Sequence, residues 1–264
     1  MSQPSSDPLD AAVVFTGRGG SGTRLLSQLA DEVGVFLGNA INRSGDSIEW
    51  VELVYRLAID AAVSPELPTG SSHREAIRAQ AARILGVAGT KPLWGLKLPE
   101  AMLVLPLLVD AFPGARVVHL TRHPVASALR RTHMTSRMNN AIGAATLSNA
   151  YRYVNRDVGA IARDESFLHN ACTWNYQVRR VLEYGRATLG SQRYLELRYE
   201  DVCADPAAGV TRLRAFLGSP GGGRAGSVSV DPSRMGGWDP DDPRVASIWG
   251  ICGDTAGLLG YTLA

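Results

Sequence analysis

The chain has 264 residues, 45% of them hydrophobic and 20% charged, which suits one α/β domain with a full apolar core. A net charge of +2 excludes a generally basic nucleic-acid-binding surface, so any anion site is local. No apolar run reaches the ~18 residues that span a membrane, and the polar start MSQPSSDPLD lacks a signal-peptide pattern, so no membrane partner and a cytoplasmic location are expected.

Three cysteines, Cys172, Cys203 and Cys252, are scattered and form no zinc spacing or disulfide framework. No metal is expected. Residues 1–10 are predicted to be a flexible tail, and 11–264 a single domain without repeats or linker.

In chain order, the apolar run 11–15 predicts a buried strand. Leu25, Leu26, Leu29 and Val33 then recur at helical spacing, as do Trp50, Leu53, Val54, Leu57 and Ala61. Ser72 and Glu75 have capping-box spacing at the start of a third helix. Residues 93–97 predict a short strand, 102–109 a helix carrying Pro106, and 116–120 a strong strand. Pro124 is suited to begin a helix. Residues 135–160 show no clear period. Trp174, Val178, Val181 and Leu182 mark a long helix, 194–197 a strand, and Val210 to Leu217 a helix closed by Gly218. The segment 219–243, rich in glycine, proline and aspartate, predicts a long loop, and 245–258 a last helix. Strands alternating with helices predict a three-layer α/β/α fold with a central parallel sheet.

Between the first strand and first helix stands Gly17-Arg18-Gly19-Gly20-Ser21-Gly22-Thr23-Arg24. Glycines let backbone amides face a ligand, and the following helix adds its free amides and positive dipole end. Ser21 and Thr23 add hydroxyls, and Arg18 or Arg24 adds charge. Gly17-x4-Gly22 matches the first half of a P-loop, but Thr23-Arg24 stands where a triphosphatase needs Lys-Ser/Thr. Phosphate binding without magnesium fits this P-loop-like turn better than triphosphate hydrolysis. After the strand at 116–120 comes Thr121-Arg122-His123-Pro124, with Ser127 and Arg130 beyond. Arg122 occupies a strand end, where α/β folds bind ligands, and a guanidinium grips phosphate with paired hydrogen bonds.

Taken together, the chain resembles the cytosolic and Golgi-type sulfotransferases. Ser21-Gly22-Thr23 matches the turn that cradles the 5'-phosphosulfate in that family, and Arg122-His123-Pro124 matches its Arg-x-Pro motif for the 3'-phosphate. Trp94-Gly95-Leu96-Lys97-Leu98-Pro99 resembles the Trp-Gly-x-Lys-x-Pro segment of bacterial members. The stretch around 194–218 and the final Leu259-Gly260-Tyr261 also look like family segments. Two positions depart. Gly20 stands where a basic residue usually precedes Ser-Gly-Thr, so Arg18 or Arg24 takes its place. Arg130 stands where the second motif's serine is usual, so Ser127 or Arg130 meets the 3'-phosphate.

The resemblance implies a donor, 3'-phosphoadenosine 5'-phosphosulfate (PAPS), and a hydroxyl acceptor on a carbohydrate or small natural product. The transfer calls for a cation near the bridging oxygen, with Arg18, Arg24 and Lys97 as candidates, and the resemblance implies Glu49 or Asp46 as the base. It also implies a late loop, with Arg234 and Gly236, over the nucleotide. His73, His119, His123 and His133 are rival bases, with His119 better suited to the core. A P-loop kinase or phosphotransferase, or a non-catalytic nucleotide-binding protein of the same fold, is the alternative. The sequence leaves the oligomeric state unknown.

Overall fold

The computed structural model describes residues 7–63, 71–89, 91, 93–219, 223, 226, 228–230 and 237–263. Four short strands form its centre: β1 (Val13–Thr16), β2 (Gly95–Lys97), β3 (Arg116–Thr121) and β4 (Tyr194–Arg198). They pair in parallel in the order β2-β1-β3-β4. Val14 lies opposite both Leu96 and Val117, and Val118 opposite Leu195.

Continuous apolar runs make strands here because both sheet faces are covered. Among the described residues, eleven α-helices follow in chain order: α1 (Arg24–Glu32), α2 (Val51–Val63), α3 (Ser71–Ala88), α4 (Leu105–Ala111), α5 (Pro124–Ala128), α6 (Ala141–Tyr153), α7 (Ser166–Tyr184), α8 (Gly190–Arg193), α9 (Tyr199–Ala204), α10 (Pro206–Leu217) and α11 (Arg244–Leu258). Val13, Phe15, Val118, Leu120 and Leu197 pack with α1, α9 and α10 on one face. Val14, Leu96 and Val117 pack with α2, α3, α4, α7 and α11 on the other. Each such Val, Leu or Phe contributes ~1.5–3 kcal/mol when fully buried. The three-layer α/β/α architecture is therefore the one the pattern predicts.

Local chemistry sets the helix ends. Asn140 Oδ1 accepts from Gly143 N at 2.8 Å and starts α6, the helix whose period was unreadable. Asp205 caps α10 through Ala208 N, Pro206 stands in its first turn, and Gly218 closes it at φ 61°. Pro106 lies in the first turn of α4, where the missing amide costs nothing. Of the tail expected at 1–10, residues 1–6 lie outside the described residues. Pro8–Ala11 forms a 3-10 turn, Asp7 and Asp10 both pair with Arg78, and Trp94 Nε1 donates to Pro8 O at 2.9 Å. Among the described residues, no helix is long and apolar enough to cross a membrane.

Candidate active site

Three chain segments leave the C-terminal edge of the sheet side by side, the edge where open α/β sheets bind ligands. Thr16 leads into the glycine turn, Lys97 into a 3-10 turn at Pro99–Leu103, and Thr121 into Arg122. The register sets Phe15 opposite both Lys97 and Val118. Thr16 Oγ1 bonds the carbonyls of Leu98 and Pro99 at 3.1 and 3.2 Å, which ties the first segment to the second.

The glycine turn is tight and crowded. Gly20 and Gly22 take φ of 92° and 86°, a region that L side chains avoid. A Cβ on Gly19 would lie 2.2 Å from His133 Nε2, and one on Gly22 would lie 2.2 Å from the Tyr199 ring. Only glycines admit these two rings. Gly22→Ala is therefore expected to lose about 1–3 kcal/mol of stability from backbone strain alone. Denaturant unfolding checks this, and an unchanged midpoint would contradict the geometry.

Arg18 lies fully buried at this turn. Its Nη2 donates to Asn170 Oδ1 at 2.6 Å and to Ser136 Oγ at 2.9 Å, with Thr173 Oγ1 at 3.4 Å. Its Nε and Nη1 are buried without a hydrogen-bond partner among the described residues. Nη1 lies 3.4 Å from where a Gly20 Cβ would stand. Burial, opposed only by Cys252, lowers its pKa to about 10, so the group stays cationic at neutral pH. A buried guanidinium without its complement of acceptors is costly, and an anion at the turn would supply them. Arg18, at the position two residues earlier, is thus the cation beside Gly20. Arg24 is exposed, and its charge is felt at Lys97.

Lys97 is almost wholly buried. Its Nζ donates to Asp46 Oδ1 at 2.6 Å and Ser44 O at 3.0 Å, which leaves one of three hydrogens for another acceptor. Burial lowers its pKa, against the opposing pull of Asp46 and Glu100. Asp46 Oδ2 accepts from Asn42 Nδ2 at 3.0 Å, so both of its oxygens are engaged. The loop 42–46 that carries it is held by Asn42 Oδ1, which accepts from Ser44 N and Asp46 N.

Glu49 has a different setting from the one expected of a base. Its Oε2 accepts from the amides of Asn39 and Ala40 at 2.8 and 3.3 Å, and its Oε1 from Asn39 Nδ2 at 3.3 Å. Its acid is satisfied by the loop that precedes it. His119 is a core residue, with Nδ1 2.7 Å from Tyr194 Oη, and burial pushes its pKa down to about 3. Glu100, which the sequence did not single out, lies buried beside these groups, with Oε1 3.5 Å from His133 Nε2.

The second turn approaches the first. Ser127 Oγ lies 3.4 Å from Ser21 Oγ, both buried. The Arg122 guanidinium stacks 4.4 Å over the Tyr199 ring, the same ring that packs on Gly22. Burial lowers the Arg122 pKa first, and the charge of Arg130 lowers it further. Ser127 thus meets the first turn, while Arg130 shares the field of Arg122. His123 stacks on Trp238 at 5.2 Å and Trp249 at 5.8 Å. Arg234 and Gly236 lie outside the described residues.

A parallel α/β sheet with a P-loop-like turn, and a second basic turn against it, defines the class of the fold. The family is more specific: a model of the sulfotransferase family matches residues 14–221, and the chain belongs to that family. Among solved structures, the sulfotransferase domain from the curacin biosynthetic pathway is similar, with a TM-score of 0.53 at 16% identity, covering 97% of this chain and 99% of that one. A sulfotransferase from Alicyclobacillus acidocaldarius has a TM-score of 0.53 at 16% identity, with 96% of each chain covered. One from Mycobacterium avium has a TM-score of 0.52 at 16% identity, covering 96% of this chain and 77% of its own. At such identity these likenesses speak for the fold. No curated protein matches.

Proposed function

We propose that this protein transfers a sulfuryl group from PAPS to a hydroxyl of a small natural product or a carbohydrate. The observation that carries the proposal is Arg18, a fully buried cation with two unpartnered nitrogens at a glycine turn. The residues present fit the donor. Arg18 and the amides of residues 19–23 would hold the 5'-phosphosulfate, and Thr23 and Arg24 would add to the same cradle. Arg122, with Arg130 beside it, would hold the 3'-phosphate, and Ser127 stands between the two turns. By the family resemblance, Arg234 and Gly236, which lie outside the described residues, would close over the 3'-phosphate and adenine. Three free, buried cysteines suit the reducing cytoplasm.

The donor brings an activated sulfuryl group, and the protein's task is to place it and to neutralise the charge that develops on the departing phosphate. Lys97 is built for that second part. Asp46 and Ser44 fix its ammonium group, and its remaining hydrogen is available to the substrate. Asp46 in this scheme positions Lys97. Glu49 holds the 38–40 loop.

A radiolabelled-sulfate transfer screen tests the proposal, with PAPS as donor and phenolic, alkyl and sugar alcohols as acceptors, without added magnesium. Label in at least one acceptor is expected. Label in none, with magnesium-dependent ATP consumption in its place, would turn the assignment toward a phosphotransferase.

A further inference from the structure

Glu100 is a buried acid that the scheme above leaves without a task. It follows Pro99 in the 3-10 turn after β2. Two side chains from distant parts of the chain act on its carboxylate: His133 Nε2 lies 3.5 Å from Oε1, and the Tyr55 hydroxyl of α2, which donates to Met134 Sδ at 2.7 Å, interacts with it. His133 Nδ1 accepts the Thr135 amide at 3.4 Å, which leaves Nε2 to carry the ring proton toward Glu100. The same ring stands against Gly19 of the glycine turn. Glu100 is therefore one imidazole away from the backbone that cradles the donor.

The other basic groups nearby are already occupied. Asp46 holds Lys97 and Asn42 with its two oxygens, and Glu49 holds the amides of Asn39 and Ala40. His133 keeps its lone pair for Thr135. The charges facing Glu100 are Asp46 and Lys97 at its side, and Arg18 and Arg137 act on His133 from beyond the ring.

We infer that Glu100 is the proton acceptor for the attacking hydroxyl, with His133 and Tyr55 as positioning residues. The inference rests on the sulfotransferase function proposed above. In the step, the acceptor oxygen bonds to sulfur. The bond from sulfur to the oxygen of the donor's 5'-phosphate breaks, and its electron pair leaves with adenosine 3',5'-bisphosphate. The hydroxyl proton passes to a Glu100 carboxylate oxygen. Burial, the largest influence, raises the Glu100 pKa to about 7, aided by the charge of Asp46 and opposed by Lys97 and the hydrogen bonds. The acid is deprotonated above that value and protonated below it, so a base role gives a rate that falls as pH drops through about 7.

The test follows kcat/KM against pH for the wild type, Glu100→Gln, Glu100→Asp and Tyr55→Phe, with binding of adenosine 3',5'-bisphosphate measured by calorimetry in each. The wild type is expected to show an acid limb near pH 7. Glu100→Gln is expected to lose at least about a hundredfold in kcat at pH 8, to lose the limb, and to bind the bisphosphate within threefold of wild type. Glu100→Asp and Tyr55→Phe are expected to keep the limb at a displaced pH. A Glu100→Gln enzyme within threefold of wild type, with its limb intact, overturns the inference. If the Gln variant fails to fold, an unmoved limb in both other variants overturns it equally. A wild type that binds the bisphosphate and transfers sulfate, beside an active Glu100→Gln, removes Glu100 alone. A wild type that does neither removes the sulfotransferase assignment as well.

Discussion

Arg18→Met is expected to weaken binding of adenosine 3',5'-bisphosphate by about two orders of magnitude. Arg18 is fully buried, its Nη2 is shared by Asn170, Ser136 and Thr173, and its Nε and Nη1 have no partner among the described residues. A hydrogen bond from a charged group contributes about 1.5–3 kcal/mol, and each ~1.4 kcal/mol is tenfold in affinity. Two such bonds formed only with an anion present account for a hundredfold or more. Methionine keeps most of the volume, so the turn should remain folded. The pKa of about 10 keeps Arg18 charged through neutral pH, and affinity should not fall between pH 6 and 8 on its account. Titration calorimetry of both proteins checks this. A Met variant that binds within threefold of wild type would show that Arg18 only braces the turn against α7.

Lys97→Met is expected to lower kcat by about 10²–10³ while changing bisphosphate affinity less than tenfold. Losing one preorganised donor at a site of developing charge has a cost of that size. Two of the three hydrogens on Nζ are fixed by Asp46 and Ser44, so the ammonium does not reorganise during the reaction. Because burial lowers its pKa, Lys97 should lose its proton below the ordinary lysine value of 10.5. The charged form is the active one, so kcat should fall as pH rises through that lowered value. Lys97→Arg should abolish this alkaline limb, since arginine stays protonated there. Asp46→Asn should free the ammonium and lower kcat by about tenfold, the size of one weakened charged contact. A Met variant whose loss appears only in KM would assign Lys97 to acceptor binding.

The sheet was readable because its strands are buried on both faces. Val13, Val14 and Phe15 form an unbroken apolar run, as do Val117 and Val118 with Leu120 close behind. α6 was unreadable for the opposite reason. Its sequence, AIGAATLSNAYRY, mixes small and weakly polar residues, so its buried face has little contrast with the exposed one. The visible signal was Asn140 ahead of Gly143, a cap without a strong stripe behind it.

At the site, the glycine turn and Arg122 were legible from strand, turn and helix order. Arg18 and Arg24 flank the same glycines, and only coordinates show that Arg18 is buried and Arg24 exposed. Likewise only coordinates show that the Ser127 hydroxyl is buried 3.4 Å from Ser21 Oγ, while Arg130 is exposed and its charge acts on Arg122. Glu100 escaped notice because an acid after proline at the start of a turn is common on exposed surfaces. Only its contacts with Tyr55 and His133, from segments ~45 and ~33 residues away in the chain, set it apart. Nor does the sequence show that the Glu49 carboxylate accepts from the amides of Asn39 and Ala40.

The two basic turns make one joint claim: the site recognises both ends of a nucleotide that carries a 3'-phosphate. Calorimetric titration with adenosine 3',5'-bisphosphate and with adenosine 5'-monophosphate tests it most directly. The bisphosphate should bind at least about thirtyfold more tightly, roughly one charged contact at Arg122. Arg122→Met should shrink that ratio toward one while leaving the monophosphate's affinity nearly unchanged. Equal affinity for the two nucleotides, or binding of neither, would contradict the account.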